Sequence, residues 1–434
     1  MTPRPYQVPG IEKAVRALPK HGAYLLADEP GVGKTPTTCF IAKRLGWPVA
    51  VVCPKAVIPA WKKTLETIGV PYLFVENPEL IMHRQKWGVK KPKKDLHWQW
   101  KLPQRCLLVL DELHRYTGDD SILSHMLAFA PKPFLGLSAT AADKAEKLRP
   151  ILHAYNISRW DDWSQFLIKS GMKFNKYAGG WYLDDETKLD ASLRRVHQQL
   201  FEEKGSRLRK ADLPAGTFPD SQTELVPVTV DDPAKIDEAY ALYLEQLTSE
   251  APNNAVYGIR ARQTAELQKL PSIESMAKDW LEEGLSVCIF LNFSHSLDYL
   301  RKKFPDASLV YGTDTQGRAQ KADDRQRHIY RFQANQTRTI LCMTTAGGIG
   351  IDLHDVHGGH PRGSLICPTN YSAIDLIQVM GRTHRDGAKT PCIQRLLFAA
   401  DTIEEQVMRK IEQKQNNLGR LNDSDLSPLT NPNT

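Results

Sequence analysis

The sequence predicts an α/β chain with two parallel sheets, each covered by helices, and a mostly helical insertion between them. Three observations carry this. Short continuous apolar runs recur in the first half, at Tyr24–Ala27, Pro48–Cys53, Tyr72–Val75, Cys106–Leu110 and Phe134–Leu137, separated by helix-length stretches. Runs of that length, apolar at nearly every position, are the pattern of strands buried on both faces in a βαβ sheet. The same texture returns at Val287–Leu291, Ser308–Tyr311, Thr339–Met343, Ser364–Cys367 and Ile393–Ala399. Between about Asp161 and Leu270 strand-like runs almost vanish, and Asp190–Gln199 and Ala234–Leu247 read as helices. The expected division is a first sheet domain over 1–158, a helical insertion over 159–270, a second sheet domain over 271–418 and a disordered polar tail over 419–434.

The bulk properties agree with that size. With 434 residues the chain is long enough for two or three domains with large cores. At 41% hydrophobic and 25% charged it reads as an ordinary soluble globular protein. Its net charge of +7 favours a polyanionic partner without deciding one. The seven cysteines contain no C-x-x-C pair, and Cys53, Cys106, Cys288, Cys342 and Cys367 lie in strand-like runs, so buried reduced thiols are expected rather than disulfides. No apolar run approaches the roughly eighteen residues of a membrane span, and the N-terminus lacks a signal-peptide core. A cytoplasmic monomer is expected, in a bacterial or phage-infected cell, or a nuclear one in a eukaryote.

The first strand breaks into LLADEPGVGKT, Leu25 to Thr35. A buried strand, a glycine turn and a helix N-terminus together form an anion site. The loop Gly31-Val32-Gly33 lets the backbone approach phosphates closely, Lys34 would sit on the β- and γ-phosphates, and the Thr35 hydroxyl on Mg²⁺. The strict phosphate-loop pattern has glycine where this chain has Asp28. Upstream, Arg4-Pro5-Tyr6-Gln7 offers an amide able to read an adenine edge.

Two further strand ends of the first half carry chemistry, since ligands of open α/β sheets bind beyond the carboxyl ends of strands. After LLVL come Asp111 and Glu112, suited to holding Mg²⁺ and to orienting and deprotonating the attacking water. Two solvated acids are the plain alternative, but not about 80 residues after a phosphate loop. Ser138-Ala139-Thr140 ends the next strand, where small hydroxyls suit a link between nucleotide state and the second domain. Between them, Arg84 to Lys101 interleaves lysines with Trp87, Trp98 and Trp100, a mixture that suits nucleic acid, or an insertion whose tryptophans pack locally. In the middle segment Arg207, Arg209 and Lys210 cluster before Leu213-Pro214, facing either DNA or solvent.

In the second half, Thr344 to Leu353 is a glycine-rich turn ending near Asp352. Downstream, Gln378, Arg382 and Arg385 would share one helix face at i, i+4 and i+7. Two arginines so placed can clamp a γ-phosphate, and such a finger supplies about 10³–10⁵ in rate. His384-Arg385-Asp386 mimics a kinase catalytic loop, but the downstream Asn and the kinase glycine loop are missing. His354, His357 and His360 have a spacing that could bind a metal, yet they sit in a Gly/Pro-rich loop, which argues against it.

The set of motifs resembles the superfamily 2 helicases, and more narrowly the SWI/SNF-type double-stranded DNA translocases. RPYQ, ADEPGVGKT, VVCPKAVIPAWKK, LDELH, LSAT, FLNFSHSLDYL, LVYGTD, TTAGGIGIDL and QVMGRTHRDG appear in that family's order, from Arg4 to about Lys414. Asp28 is what this family has in its loop. SRLRKADLPAG resembles its Arg/Lys-rich stretch, and Trp163 through Tyr182 to Leu193 resembles the subgroup of annealing helicases and fork remodellers. Leu113 and Asp386-Gly387-Ala388 depart from the usual pattern. The resemblance implies two tandem RecA-like P-loop NTPase domains binding ATP and Mg²⁺. It implies that Arg4, Gln7, Asp28, Lys34 and Thr35 contact the nucleotide, with Thr35 and Asp111 on the metal and Glu112 on the water. Gly350 and Asp352 would touch the nucleotide from the second domain, with Arg382 and Arg385 as fingers. Lys55, Trp61, Arg207, Arg209, Asn292, Thr344 and Thr345 would lie along the nucleic acid. The expected activity is ATP-dependent movement on double-stranded or branched DNA, with replication or recombination proteins as partners. A strand-separating DNA or RNA helicase is the first alternative, and a non-catalytic ATP-bound DNA-binding scaffold the second.

Overall fold

The computed structural model describes residues 1–90, 98–117, 121–139, 145–175, 180–214, 216–248, 254–344, 351–368, 373–409 and 411. They fall into two units, one running to Leu213 and the other beginning at Pro214. The strands of the first unit are β1 (Ala23–Leu26), β2 (Val49–Val52), β3 (Tyr72–Glu76), β4 (Gly88–Lys90), β5 (Trp98–Trp100), β6 (Leu107–Asp111), β7 (Phe134–Leu137), β8 (Met172–Asn175), β9 (Gly180–Leu183) and β10 (Gly205–Ser206). Its main sheet has the order β10-β1-β7-β6-β2-β3, every pair parallel.

Successive residues of these strands feed opposite cores. Leu25, Ala50, Val52, Leu108 and Leu110 pack on one face, while Tyr24, Leu26, Val51, Leu107 and Val109 pack on the other. Both faces are therefore dry, which is why the strands read as unbroken apolar runs instead of alternating ones.

The second unit is built on β11 (Ser221–Val228), β12 (Ser286–Leu291), β13 (Ser308–Val310), β14 (Thr339–Met343), β15 (Arg362–Ile366) and β16 (Cys392–Ala399), again all parallel, in the order β11-β16-β15-β12-β14-β13. The helix Asn254–Glu282 packs on it through Leu270, Ile273, Ala277 and Trp280. That helix carries charge inward. Lys269, 1% exposed, pairs with Glu404 at 2.7 Å, and Glu266 accepts from the Asn292 and Phe293 N–H groups.

Four strands lie where few strand-like runs are visible in the sequence: β8, β9, β10 and β11. β10 is two residues long and exists because the backbone of 204–206 pairs with β1, so no periodicity marks it. β11 contains Pro227, a residue that a central strand excludes; it is tolerated because β11 is an edge strand. The basic–aromatic stretch Arg84 to Lys101 takes its local-packing alternative at the tryptophans. Trp98 is buried in the core, Trp100 donates its indole N–H to the Met126 carbonyl at 3.0 Å, and Trp87 packs on Phe74. All seven cysteines are free and buried. Among the described residues no helix is long and apolar enough to cross a membrane.

Candidate nucleotide site and nucleic-acid interface

The phosphate loop joins β1 to the helix Lys34–Leu45. Gly31 and Gly33 have φ of 91° and 92°, in the region that side chains avoid. A Cβ on Gly33 would also stand 2.6 Å from the Gln7 amide nitrogen. The loop's shape and the packing beneath it thus both require glycine there. Beyond Gly33 the first helical turn leaves N–H groups without intrahelical partners, an anion-binding arrangement.

Gln7 is 5% exposed, and its amide donates to the carbonyls of Val32 and Gly33 at 3.1 and 3.3 Å. Its oxygen accepts from the Arg4 N–H at 2.9 Å. Both ends of the amide are engaged in bracing the loop from below. Adenine reading would require those bonds to be exchanged.

Lys34 folds back into the loop. Its ammonium donates to the Asp28 and Glu29 carbonyls at 2.8 and 3.3 Å. Burial lowers its pKa, opposed by the negative charges of Glu112, Asp28 and Asp111. Burial likewise pushes the Asp28 carboxyl up to about 6, against the attraction of Lys34 and Arg207 and the N–H of Leu208. Asp28 is therefore built into the loop as a brace to the 204–210 segment, which also receives the Ala27 and Glu29 N–H groups.

Asp111 ends β6, and Glu112 follows in the left-handed region at φ 54°. Non-glycine residues held there mark positions that the surroundings over-determine. Burial and the adjacent Glu112 charge push Asp111 up to about 7; the Trp61 indole and Lys34 pull the other way. The Trp61 Nε1–H donates to Asp111 Oδ2 at 2.8 Å, and the Glu112 N–H to its other oxygen at 2.9 Å. Glu112 stands 3.5 Å from His114 Nδ1, which is 3.4 Å from Ser138 Oγ. Lys34, with Arg207 beside it, thus faces the carboxylates of Asp28, Asp111 and Glu112 in a desolvated bowl at the carboxyl end of a parallel sheet. This donor set fits a nucleotide: the loop's N–H groups and Lys34 for phosphate, and Thr35 with Asp111 for a magnesium ion that takes its remaining ligands from phosphate and water.

In the second unit, the helix Ala373–Met380 stops before Arg382, which corrects the shared helix face expected for Gln378, Arg382 and Arg385. The Gly381 N–H still reaches the Ile377 carbonyl, the Arg382 N–H tightens onto Val379, and the Arg382 carbonyl leaves the helix to accept the Leu353 N–H at 2.9 Å. The turn still brings the expected groups together: Arg385 pairs with Asp352 at 2.5 Å, and Arg382 reaches the Ile351 carbonyl at 3.5 Å. Gly350 and Thr345 lie outside the described residues, as does Thr140.

The proposed nucleic-acid residues divide. Lys55 is exposed at the carboxyl end of β2, and Arg209 is half-buried and pairs with Asp212. Trp61 is 1% exposed and bonded to Asp111, so its ring lines no surface. Arg207 points into the phosphate loop, donating to the Ala27 and Ala139 carbonyls at 2.6 and 3.1 Å. The Asn292 amide is engaged by Glu266 and the Cys367 and Pro368 carbonyls, and Thr344 is buried with its hydroxyl on the Leu291 carbonyl. These four are internal braces at strand ends: Trp61 holds the Asp111 carboxylate, and the other three donate to carbonyls there that need donors. The bracing roles of Arg207 and Trp61 had no signal in the sequence beyond their nearness to motifs. The His354, His357 and His360 loop is organised by Asp355, which accepts the N–H groups of His357, Gly358 and His360. Among the described residues no His/Cys/Asp/Glu group is arranged to hold a metal alone.

The family described as the helicase conserved C-terminal domain matches residues 268–387. Over 460 aligned residues the chain is 30% identical to the "putative ATP-dependent RNA helicase" of Acanthamoeba polyphaga mimivirus, covering 97% of this chain and 84% of that protein. It is 22% identical to the ISWI chromatin-remodeling complex ATPase ISW1 of Saccharomyces cerevisiae over 95% of this chain, but spans only 40% of that remodeller. Among solved structures, S. cerevisiae Dbp5 bound to RNA and ADP BeF3 shares the fold at a TM-score of 0.50 and 13% identity, covering 95% of this chain and 92% of that one. A phosphate loop, a strand-end Asp-Glu pair and a second parallel unit of helicase type thus occur in one chain that aligns nearly end to end with such a relative; the chain belongs to the superfamily 2 helicases and is an ATP-hydrolysing enzyme.

Proposed function

We propose that the chain is an ATP-driven motor that moves along double-stranded or branched DNA, in replication, recombination or repair. The observation that carries this reading is the desolvated bowl of Lys34, Asp28, Asp111 and Glu112, set in a chain with chromatin-remodeling ATPases among its relatives. Lys34 binds the β- and γ-phosphates. Thr35 and Asp111 hold magnesium, which supplies neutralisation of phosphate charge. Glu112 orients and deprotonates the attacking water. His114 and Ser138, in contact range behind it, fix its orientation. Arg382, Arg385, Asp352 and Gly350 also act on nucleotide, the arginines as fingers.

Grip on DNA comes mainly from phosphate contacts, with Lys55 and Arg209 on the track. Binding then falls steeply with salt and shows little sequence preference. A second reading, an RNA-dependent helicase, is favoured by the name that the mimivirus relative carries. The test is steady-state ATP hydrolysis with no nucleic acid, single-stranded DNA, blunt duplex, a forked or four-way junction, and RNA. Strong stimulation by duplex or junction DNA supports the motor. Stimulation by RNA or single strands alone moves the reading to an unwinding helicase, and no stimulation removes the substrate. Arg385→Ala should cut turnover far more than ATP binding; equal losses would make Arg385 a binding residue.

A further inference from the structure

The first unit carries an element that the motor described above does not use. The chain leaves the helix Trp163–Lys169, runs through the hairpin of β8 and β9, and re-enters the helix Glu186–Phe201. This two-stranded ribbon belongs to neither large sheet. Ribbons of this kind are marginal in isolation; this one is rooted. The Asp184 and Asp185 N–H groups both donate to the Gly171 carbonyl, at 2.9 and 3.0 Å, with Gly171 at φ 76°. Met172 is buried, and Asp185 caps the following helix by accepting the Lys188 N–H. Beyond that root the side chains change character. Ile168 is 61% exposed, Phe174 50%, Tyr182 48% and Leu183 44%.

The register places Phe174 opposite Trp181 and Lys173 opposite Tyr182, so the ribbon shows an aromatic side chain on each face. Phe174 and Trp181 meet edge-on at 5.3 Å, which leaves ring area open to solvent. From Ile168 to Leu183 the sequence has three lysines and no acidic residue. Of these, Lys173 pairs with Asp184 at the root, and Lys169 is exposed. An exposed apolar patch costs free energy and needs a reason. Flat rings on the ribbon, with Lys169 exposed at the end of the preceding helix and Lys173 held by Asp184 at the root, suit a ligand that offers π-faces and negative charge at once. A phosphate track alone would call for cations without rings, and a purely apolar partner for rings without lysines.

We propose that the β8–β9 ribbon is a base-stacking platform for nucleic acid, taking an unpaired or duplex-terminal base on Phe174 or Tyr182. This rests on the nucleic-acid-dependent motor proposed above and adds a preference for DNA with open base faces. The wild-type protein is compared with the double variants Phe174→Leu/Tyr182→Leu and Phe174→Trp/Tyr182→Trp. Each is measured for binding to a blunt duplex and to a fork carrying 2-aminopurine at its first unpaired position, and for ATP turnover without nucleic acid.

Stacking on a protein ring weakens binding by roughly ten- to a hundredfold per base when removed. The leucine variant should therefore lose about that factor on the fork, and lose the 2-aminopurine quenching, while blunt-duplex binding and basal turnover stay at wild-type level. The tryptophan variant should keep both fork signals and reports that the ribbon is folded. Fork binding unchanged in the leucine variant overturns the platform and shows that the patch faces something else. Equal loss on the blunt duplex also overturns it. If wild-type protein binds neither DNA, the motor reading falls together with the platform; if it binds both and only the leucine result fails, the platform alone falls.

Discussion

The hydrogen bond from Trp61 to Asp111 gives a test of the site that needs no nucleic acid. The indole N–H reaches Oδ2 at 2.8 Å and stabilises the ionised form of a carboxyl that burial has pushed up to about 7. Removing a donor that favours the charged state raises the pKa. A hydrogen bond to a charged group is worth about 1.5–3 kcal/mol, and one pKa unit is worth about 1.4 kcal/mol. Trp61→Phe should therefore move Asp111 up by roughly one to two units. The pH dependence of kcat/KM reports the free enzyme's ionisations. With ATP as the varied substrate at saturating magnesium, the acid limb of the profile should shift upward by that amount, while the plateau reached at high pH stays within a few-fold of wild type. Trp61 is also a core residue, so the variant loses packing, about 1–3 kcal/mol; assays belong well below its melting temperature. A lower plateau with an unmoved limb would mean that Trp61 only fills space, and that Asp111 ionisation does not limit the nucleotide step.

Three further outcomes follow from the same geometry. Glu112→Gln should bind ATP as wild type does and lose about 10²–10⁴ in turnover, read by nucleotide binding and single-turnover hydrolysis; near-normal turnover would remove Glu112 from catalysis. Arg207→Gln leaves the Ala27 and Ala139 carbonyls short of a charged donor and should cost about 1.5–3 kcal/mol in urea unfolding, with weaker ATP binding as the loop loosens. Lys269→Met strands the Glu404 carboxylate inside the second unit and should cost about 3–5 kcal/mol; adding Glu404→Gln should recover most of it, because the glutamine still accepts the Ala399 N–H.

What the sequence made legible follows the physics of each element. Strands buried on both faces announce themselves as apolar runs, so β1, β2, β6, β7, β12 and β14 were all visible within a residue or two. The phosphate loop was visible because its demands are local: glycines at positive φ, then Lys34 at a helix start. β10 was not visible, since two residues acquire strand geometry only from a partner already in place. The arginine helix face failed because residue spacing assumes that the helix continues, and it ends at Met380, where the Arg382 carbonyl is drawn to the Leu353 N–H. The nucleic-acid assignments of Trp61, Arg207, Asn292 and Thr344 fall on side chains that the fold engages internally, for one reason. Polar groups near a motif read the same in sequence whether they face outward or hold the ends of neighbouring strands together. That choice depends on which carbonyls and carboxylates the fold leaves needing donors, and it is settled only in three dimensions.

The bowl around Lys34 has a consequence for loading. Burial and the neighbouring Glu112 charge hold the Asp111 carboxyl well above the usual carboxylate range, and burial holds Asp28 above it too, so Asp111 carries a proton at a higher pH than an ordinary aspartate does. A carboxyl that is to ligate magnesium must first lose its proton, so metal-dependent binding releases protons. The sign follows: nucleotide binding with magnesium should expel protons from Asp111 near neutral pH, and the release should grow as pH falls and fade as pH rises. Apparent affinity for the magnesium nucleotide should therefore fall as pH drops through 7. Calorimetric titrations in two buffers of different ionisation enthalpy measure the proton count directly. Asp111→Asn should abolish the buffer dependence while magnesium-free nucleotide binding persists through Lys34 and the loop. Proton uptake at pH 7, or a release that survives in Asp111→Asn, would mean that the ionisation linked to loading belongs to another group, with Lys34 the first to examine because burial pulls its pKa down.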